Sequence, residues 1–429
     1  MPAARTVGIV DDVTRTGIRP VAPLGGETRQ SLEALSTVLG TATPPTYPAS
    51  LVPAPLTRTG QAASAPVLDG PPAPQSAEPA RADERSRMAW MDVLRGTAIL
   101  MVVMTHVLAQ GWRLFDIEET PLNIASWTVA PVRIPLLMLL SGMLLSRSIA
   151  KGPRLFVAGK LRGIAWPYVV WSLIYLGVWQ LDPAIDGGSH GGAGLVDILV
   201  EPVSVLWYLH LLLGLYLLAL VLLSLPRARP WHLVSALAVT WGLVSLGDSA
   251  EWERALCLAT FFLGGDMLAR RLDRGLPTTV TRLWSSPLRR PATLIALLVL
   301  ASPLLLWAIM PMPARYAPYS AVPALAMMVL FVLAARALSG SPIERSLAWV
   351  GRQSLVFYVT HWLLIGAAYA ALDALIDPGE HPYATVALVF CATLAACALV
   401  ARLQQVWRPA GWLFAAPRRR PAGRDRVQG

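Results

Sequence analysis

The chain has 429 residues, of which 55% are hydrophobic and 14% charged, and its mean hydropathy is +0.52. These proportions exclude an ordinary soluble protein and indicate a polytopic membrane protein that contacts membrane lipids. The net charge of +10 is explained by arginines in loops on the cytoplasmic side of a membrane, so we predict no nucleic-acid partner.

The two ends of the chain differ in composition from its centre. Residues 1–87 are rich in Pro, Ala, Thr and Ser and show no sustained helical or strand period, which predicts a disordered cytoplasmic tail. Residues 409–429 are rich in arginine and are predicted to form a basic cytoplasmic tail. Residues 88–408 between them form the predicted transmembrane domain.

Apolar stretches follow one another through this domain, so we predict an all-α fold, a polytopic transmembrane helix bundle with about ten spans. The predicted spans are residues 93–112, 128–146, 163–181, 203–225, 231–247, 254–271, 292–310, 318–337, 353–373 and 383–404. The connecting loops alternate between arginine-rich and acidic segments. By the positive-inside rule, this alternation predicts that both termini are cytoplasmic.

The first span carries ionisable residues at its start and in its interior. Asp92 and Arg95 lie at the cytoplasmic end, and His106 follows eleven residues after Arg95. On an α-helix this spacing returns to within roughly 20° of the same face, with the two residues roughly 16 Å apart. An ionisable group deep in a membrane costs about 2.5–3.5 kcal/mol, so it usually marks a site or a pathway.

This segment resembles the start of a known family. Asp-x-Leu-Arg-Gly, followed by an apolar run that ends at His106, is similar to the first motif of the acyltransferase 3 family. That family comprises bacterial membrane-bound O-acyltransferases, including sugar O-acetylases, which modify glycans, lipids and natural products. The arrangement Pro135…Ser141-Gly142 resembles the motif of the family's second helix, although Gly142 and Ser141 are also suited to simple helix packing.

A second close match lies near the end of the domain. Residues 351–362 resemble the late family signature Gly-x-x-Ser-Leu-x-x-Tyr-x-x-His. Spacings of four and three residues place Ser354, Tyr358 and His361 on one face of a helix. The spacing also places His361 at a depth similar to that of His106, about 12 Å from the cytoplasmic end.

Other stretches match the family less fully. The segment from Lys160 to Tyr168 resembles a basic loop that enters the third helix, but ordinary positive-inside anchoring explains it equally well. The pair Trp207-Tyr208 and Tyr216 resemble another family helix, although an aromatic belt at the outer membrane boundary is favoured. Arg133 could pair with an outer carboxylate or meet an acceptor, and Asp266 is interpreted as part of a local ion pair.

The resemblance implies an integral-membrane O-acyltransferase in the bacterial inner membrane. It would move an acetyl or other acyl group from acyl-CoA, most simply acetyl-CoA, to a hydroxyl of a glycan, glycolipid or natural product, with no bound cofactor and no metal. We expect His106 to act as general base, or less favourably as a transient acyl carrier. Arg95 would hold a CoA phosphate, with Asp92 orienting it.

The same resemblance implies that a second group of residues lines the substrate cavity, namely Ser141, Ser354, Tyr358 and His361. The alternative function is a multi-pass transporter or flippase for a glycan or anionic cargo, because buried ionisable groups along a path suit that function too. The sequence shows no convincing inverted repeat, which counts against a transporter.

Overall fold

The computed structural model describes residues 77–115, 121–181, 198, 201–224, 229–247, 250–274, 289–305, 316–375 and 380–417. All regular elements in this part of the chain are helices, which confirms the prediction of an all-α fold there. Most of the predicted N-terminal tail and the last part of the basic tail lie outside the described residues, so the predicted domain boundaries stay predictions.

The helices are numbered here in chain order. They are α1 Ala77–Phe115, α2 Pro121–Thr128, α3 Ala130–Gly142, α4 Leu145–Ile149, α5 Pro153–Lys160, α6 Trp166–Leu181, α7 Trp207–Ser224, α8 Pro230–Val244, α9 Ala250–Asp273, α10 Arg289–Ala301, α11 Ala321–Ala337, α12 Pro342–Arg352, α13 Ser354–Asp373, α14 Pro382–Val406 and α15 Arg408–Trp412. A π-helical segment, Leu161–Ala165, joins α5 to α6, and short 3₁₀ turns precede α7 and α11.

Within the described residues, seven helical segments are long and apolar enough to cross a membrane. They are Ala89–Arg113, Pro121–Ile149, Pro153–Leu181, Ser204–Leu223, Pro318–Ala337, Ser354–Asp373 and Pro382–Val406. Two further predicted spans coincide with shorter apolar helices, and the remaining one lies in α9, which has charged residues in its first and last turns. The membrane-embedded character is therefore supported, while the number ten stays a prediction.

Helix α1 lies at the centre of the bundle and packs against α3, α11, α12, α13 and α14. Its closest neighbour is α12, where the two backbones touch through Gly96 and Gly351. A Cβ atom added to Gly96 would collide with the carbonyl oxygen of Leu347, and one added to Gly351 would collide with that of Asp92. Glycines allow this approach because the backbones can meet without intervening side chains.

Helices α3 and α9 cross in the same way. A Cβ atom on Gly142 would collide with the carbonyl oxygen of Phe262, and one on Gly265 would collide with that of Leu139. Small residues on both helices therefore bring the two backbones into direct contact. This crossing sets the position of α3, and with it the position of Ser141.

A buried carboxylate ties α9 to the segment after α3. Asp266 is 0% exposed and accepts hydrogen bonds from the backbone N–H of Ser146, at 3.0 Å, and from the Ser146 hydroxyl. Its second oxygen accepts a hydrogen bond from Arg270 at 2.8 Å. The predicted local ion pair is confirmed, and the structure adds the long-range contact with Ser146, which keeps the buried charge compensated.

The described part of the C-terminal region packs against α6. The indole N–H groups of Trp166 and Trp171 donate hydrogen bonds to the carbonyl oxygens of Trp412, at 2.6 Å, and Leu413, at 3.1 Å. Arg162 and Ala416 exchange two hydrogen bonds, one from the guanidinium and one to the Arg162 carbonyl oxygen. Residues 412–416 therefore form a folded strap over the junction of the π-helical segment and α6.

Candidate functional site

A cavity of about 180 Å³ opens between α1, α3, α7, α13 and the π-helical segment. Its polar lining comes from five side chains, Arg95, Ser141, Tyr208, Ser354 and Tyr358. The remaining lining residues are apolar leucines and isoleucines together with Gly163 of the π-helical segment. The cavity is thus an apolar slot with a cation and several hydroxyl groups on its walls.

Arg95 is anchored at the cavity by contacts with its own helix and with α3. Its guanidinium lies 3.5 Å from Asp92 and donates to the carbonyl oxygen of Leu140 at 3.4 Å, and its side chain is only 18% exposed. The other oxygen of Asp92 lies 3.8 Å from Arg352 of α12. Asp92 therefore bridges Arg95 of its own helix and Arg352 of α12.

A second cation lies close to Arg95. The amine of Lys160 sits 3.5 Å from the centre of the Tyr216 ring, and Tyr216 donates to the carbonyl oxygen of Ser141, the residue after the Leu140 that Arg95 contacts. The sequence left open whether Lys160 serves only as a membrane anchor. In the structure it lies at the end of α5, immediately before the π-helical segment that lines the cavity. π-helical turns are frequent at functional sites.

Hydroxyl groups from three helices meet inside the cavity. The Ser141 hydroxyl is 3.4 Å from that of Tyr208, and Tyr216 donates to the Ser141 carbonyl oxygen at 2.9 Å. Tyr358 donates to the carbonyl oxygen of Val205, and its ring centre lies 5.4 Å from that of Tyr208. The favoured aromatic-belt interpretation of Tyr208 is therefore wrong, because the side chain is 7% exposed and lines the cavity.

His106 and His361 meet beyond Tyr358. Their ring centres are 5.1 Å apart, and the ring of Tyr358 is 6.0 Å from that of His361. His361 is 0% exposed, with Nδ1 at 2.7 Å from the carbonyl oxygen of Tyr358 and 3.1 Å from that of Phe357. Since both neighbours are acceptors, Nδ1 carries the hydrogen and Nε2 carries a lone pair.

The structure therefore brings all the sequence-predicted site residues into one region, in two adjoining groups. Arg95, Ser141, Ser354 and Tyr358 line the cavity, with Asp92 paired to Arg95. The two histidines lie next to the cavity wall that Tyr358 forms.

A family model described as an acyltransferase domain matches residues 88–402, which is well over half of the chain. The chain belongs to the acyltransferase 3 family. The match covers every site residue predicted from the sequence and ends before the strap of residues 412–416. A search of curated proteins and a search of solved structures each found no match.

This membrane acyltransferase has a further polar cluster beside His106. Arg133 of α3 is 9% exposed and donates to the hydroxyl of Thr105 at 2.6 Å, and Thr105 lies 2.7 Å from the hydroxyl of Ser126. Thr105 is the residue immediately before His106, so this cluster adjoins the histidine pair. The pairing of Arg133 with hydroxyl groups rests on the contact between α1 and α3, which the sequence does not reveal.

Two other features of the acyltransferase site escaped the sequence analysis. Trp362 packs its ring edge-on against His106, with ring centres 5.2 Å apart, and nothing in the motifs singled it out. Tyr216 was noted only with the pair Trp207-Tyr208, and its hydrogen bond to the Ser141 carbonyl oxygen depends on the contact between α7 and α3. Among the described residues, no group of three or more His, Cys, Asp or Glu side chains is placed to hold a metal ion.

Proposed function

We propose that this acyltransferase is an O-acyltransferase that moves an acetyl or other acyl group from acyl-CoA to a hydroxyl of a glycan, glycolipid or natural product. The observation that carries the proposal is the cavity itself. Arg95 lines it, with Lys160 on the neighbouring Tyr216 ring, and so does Tyr358, whose ring adjoins that of His361.

The cavity suits the donor in both charge and shape. CoA is anionic at its nucleotide end and continues as a long, thin pantetheine arm that ends in the thioester. An arginine fork matches phosphate oxygens and stays charged, so Arg95 would hold the phosphate end, oriented by Asp92. A volume of about 180 Å³ accommodates part of the thin arm, while the nucleotide would stay at the mouth.

The histidines would provide the chemistry. His106 takes the proton from the acceptor hydroxyl as that oxygen attacks the thioester carbonyl carbon, and a C–O bond forms. The tetrahedral intermediate then collapses, the C–S bond breaks, and the departing thiolate of CoA receives the proton from His106. The products are an ester and free CoA, and a positioned general base contributes about 10²–10⁴-fold to such a rate.

The remaining predicted residues would position the substrates. Ser141, Ser354 and Tyr358 line the same cavity as Arg95, and the ring of Tyr358 adjoins that of His361. The transporter or flippase alternative is not favoured, because the matching family model is that of an acyltransferase domain. We place the protein in the bacterial inner membrane with both termini cytoplasmic, the orientation that brings Arg95 to the side where acyl-CoA is made.

The test uses membranes that carry the wild type, His106→Ala or His232→Ala at matched expression. His232 is the control because it is an exposed histidine on α8. Each membrane is incubated with radiolabelled acetyl-CoA and a glycolipid extract of the host, and label in the acceptor is followed.

A loss of at least about a hundredfold in His106→Ala, with His232→Ala unchanged, supports the general-base role. Equal transfer by all three removes His106 from the chemistry. No transfer by the wild type overturns acetyl transfer to a glycolipid.

A further inference from the structure

Two consecutive residues beside His106 each bury a polar atom that has no hydrogen-bond partner among the described residues. These atoms are Nε2 of His361 and Nε1 of Trp362. Buried polar groups in native proteins are nearly always paired, so each unpaired one calls for an explanation such as a catalytic role. Both side chains flank the same ring, since the ring centre of His106 lies 5.1 Å from that of His361 and 5.2 Å from that of Trp362.

The two atoms have opposite hydrogen-bonding character. The carbonyl oxygens of Phe357 and Tyr358 hold the hydrogen of His361 on Nδ1, so Nε2 can only accept. The indole nitrogen of Trp362 can only donate. The lone pair on Nε2 of His361 is suited to accept a hydrogen bond from a ring N–H of His106. The other ring nitrogen of His106 would then be able to take a proton from the substrate. The indole N–H is then left for a substrate acceptor atom.

The backbone around Trp362 is tied to α1. The side-chain amide of Gln110, which is 2% exposed, donates to the carbonyl oxygen of Trp362 at 3.4 Å. Gln110 lies one helical turn after His106, so α1 both carries the proposed base and contacts the backbone of Trp362. An N–H positioned before the substrate arrives is what stabilises developing negative charge in acyl transfer.

We propose that Trp362 is a catalytic residue whose indole N–H binds the oxyanion of the tetrahedral intermediate. This rests on the acyl-transfer function proposed above. As the acceptor oxygen attacks and its proton passes to His106, the carbonyl oxygen of the thioester becomes negative and accepts the hydrogen bond from Trp362. When the C–S bond breaks, the oxygen returns to a neutral ester carbonyl. The indole keeps its hydrogen throughout.

The experiment compares the wild type with Trp362→Phe and Trp241→Phe in the acetyl-transfer assay, measuring kcat and KM for acetyl-CoA. Phenylalanine keeps an aromatic ring against His106 and removes only the donor. Trp241 is the matched control, since it is 4% exposed and its indole donates at 2.8 Å to the carbonyl oxygen of Tyr316, away from the histidines. Rates are normalised to the monodisperse, folded fraction of each purified protein.

We expect Trp362→Phe to lower kcat by about 10²–10³-fold with little change in KM, because the lost interaction exists only in the transition state. Trp241→Phe should keep its kcat, and Trp362→His, which restores a ring N–H, should recover part of the lost rate. An unchanged kcat in Trp362→Phe overturns the inference, as does an effect on KM alone or an equal loss in the control. No transfer by the wild type overturns the proposed function instead.

Discussion

Two neighbouring glycines of α9 are expected to respond oppositely to the same substitution. A Cβ atom on Gly265 would collide with the backbone of α3 at Leu139, whereas one on Gly264 has nothing within 4 Å. Alanine favours a helix over glycine by about 0.8–1.0 kcal/mol, so Gly264→Ala should stabilise the protein by up to that amount. Gly265→Ala gains the same helix preference but must push α3 and α9 apart.

The free-energy cost of separating α3 from α9 decides whether Gly265→Ala stabilises or destabilises the protein. The obstacle is backbone of a packed helix and not the end of a flexible side chain, so no local rotation relieves it. Overpacking of this kind costs about 1–3 kcal/mol or more, and over most of that range the cost exceeds the gain in helix preference. We expect net destabilisation, together with a shift of α3 that moves Ser141 in the cavity wall.

The assay is thermal unfolding of purified protein in detergent, monitored by the fraction that remains monodisperse after heating. Gly265→Ala should lower the midpoint of thermal unfolding, and Gly264→Ala should leave it unchanged or raise it. In soluble domains of 150–250 residues, each kcal/mol of stability shifts this midpoint by about 2–4 °C. Equal shifts of the same sign in both variants would refute the direct backbone contact between α3 and α9.

Two further changes bear on the donor end of the cavity. Arg95→Gln should raise the KM for acetyl-CoA by tenfold or more, because charge-assisted hydrogen bonds contribute about 1.5–3 kcal/mol. The control, Arg147→Gln, breaks an exposed ion pair and should leave the KM unchanged. Equal KM values for the two variants in steady-state kinetics would contradict this prediction. A chain that ends at Val406 lacks the strap of residues 412–416, so its KM for acetyl-CoA should also rise and the midpoint of its thermal unfolding should fall. If neither value changes, the strap does not support the cavity.

Much of the fold follows from local patterns in the sequence. Apolar runs predict membrane helices because each span must satisfy its own backbone hydrogen bonds in lipid. The two shorter apolar helices and α9 were predicted as spans too. Helices of 10–17 residues are shorter than the roughly 20 apolar residues that cross a membrane core, and α9 carries charged residues in its first and last turns.

The site was predictable where it depends on spacing along one helix. Helical periodicity places Ser354, Tyr358 and His361 on one face, and the structure has the first two in the cavity and the third against His106. Eleven-residue spacing likewise puts Arg95 and His106 along one wall of α1. These relations are local, because the rotation per residue of an α-helix is constant.

What only the tertiary structure decides is which distant helices meet. Tyr208 joins Ser141 and Tyr358 because α7 enters the bundle beside α3 and α13, so its role could not be read from the aromatic-belt pattern. The approach of α1 to α12 depends on Gly96 and Gly351, which lie 255 positions apart in the chain and match only in three dimensions. Periodicity determines the faces of single helices, but pairing depends on shape complementarity between faces far apart in sequence.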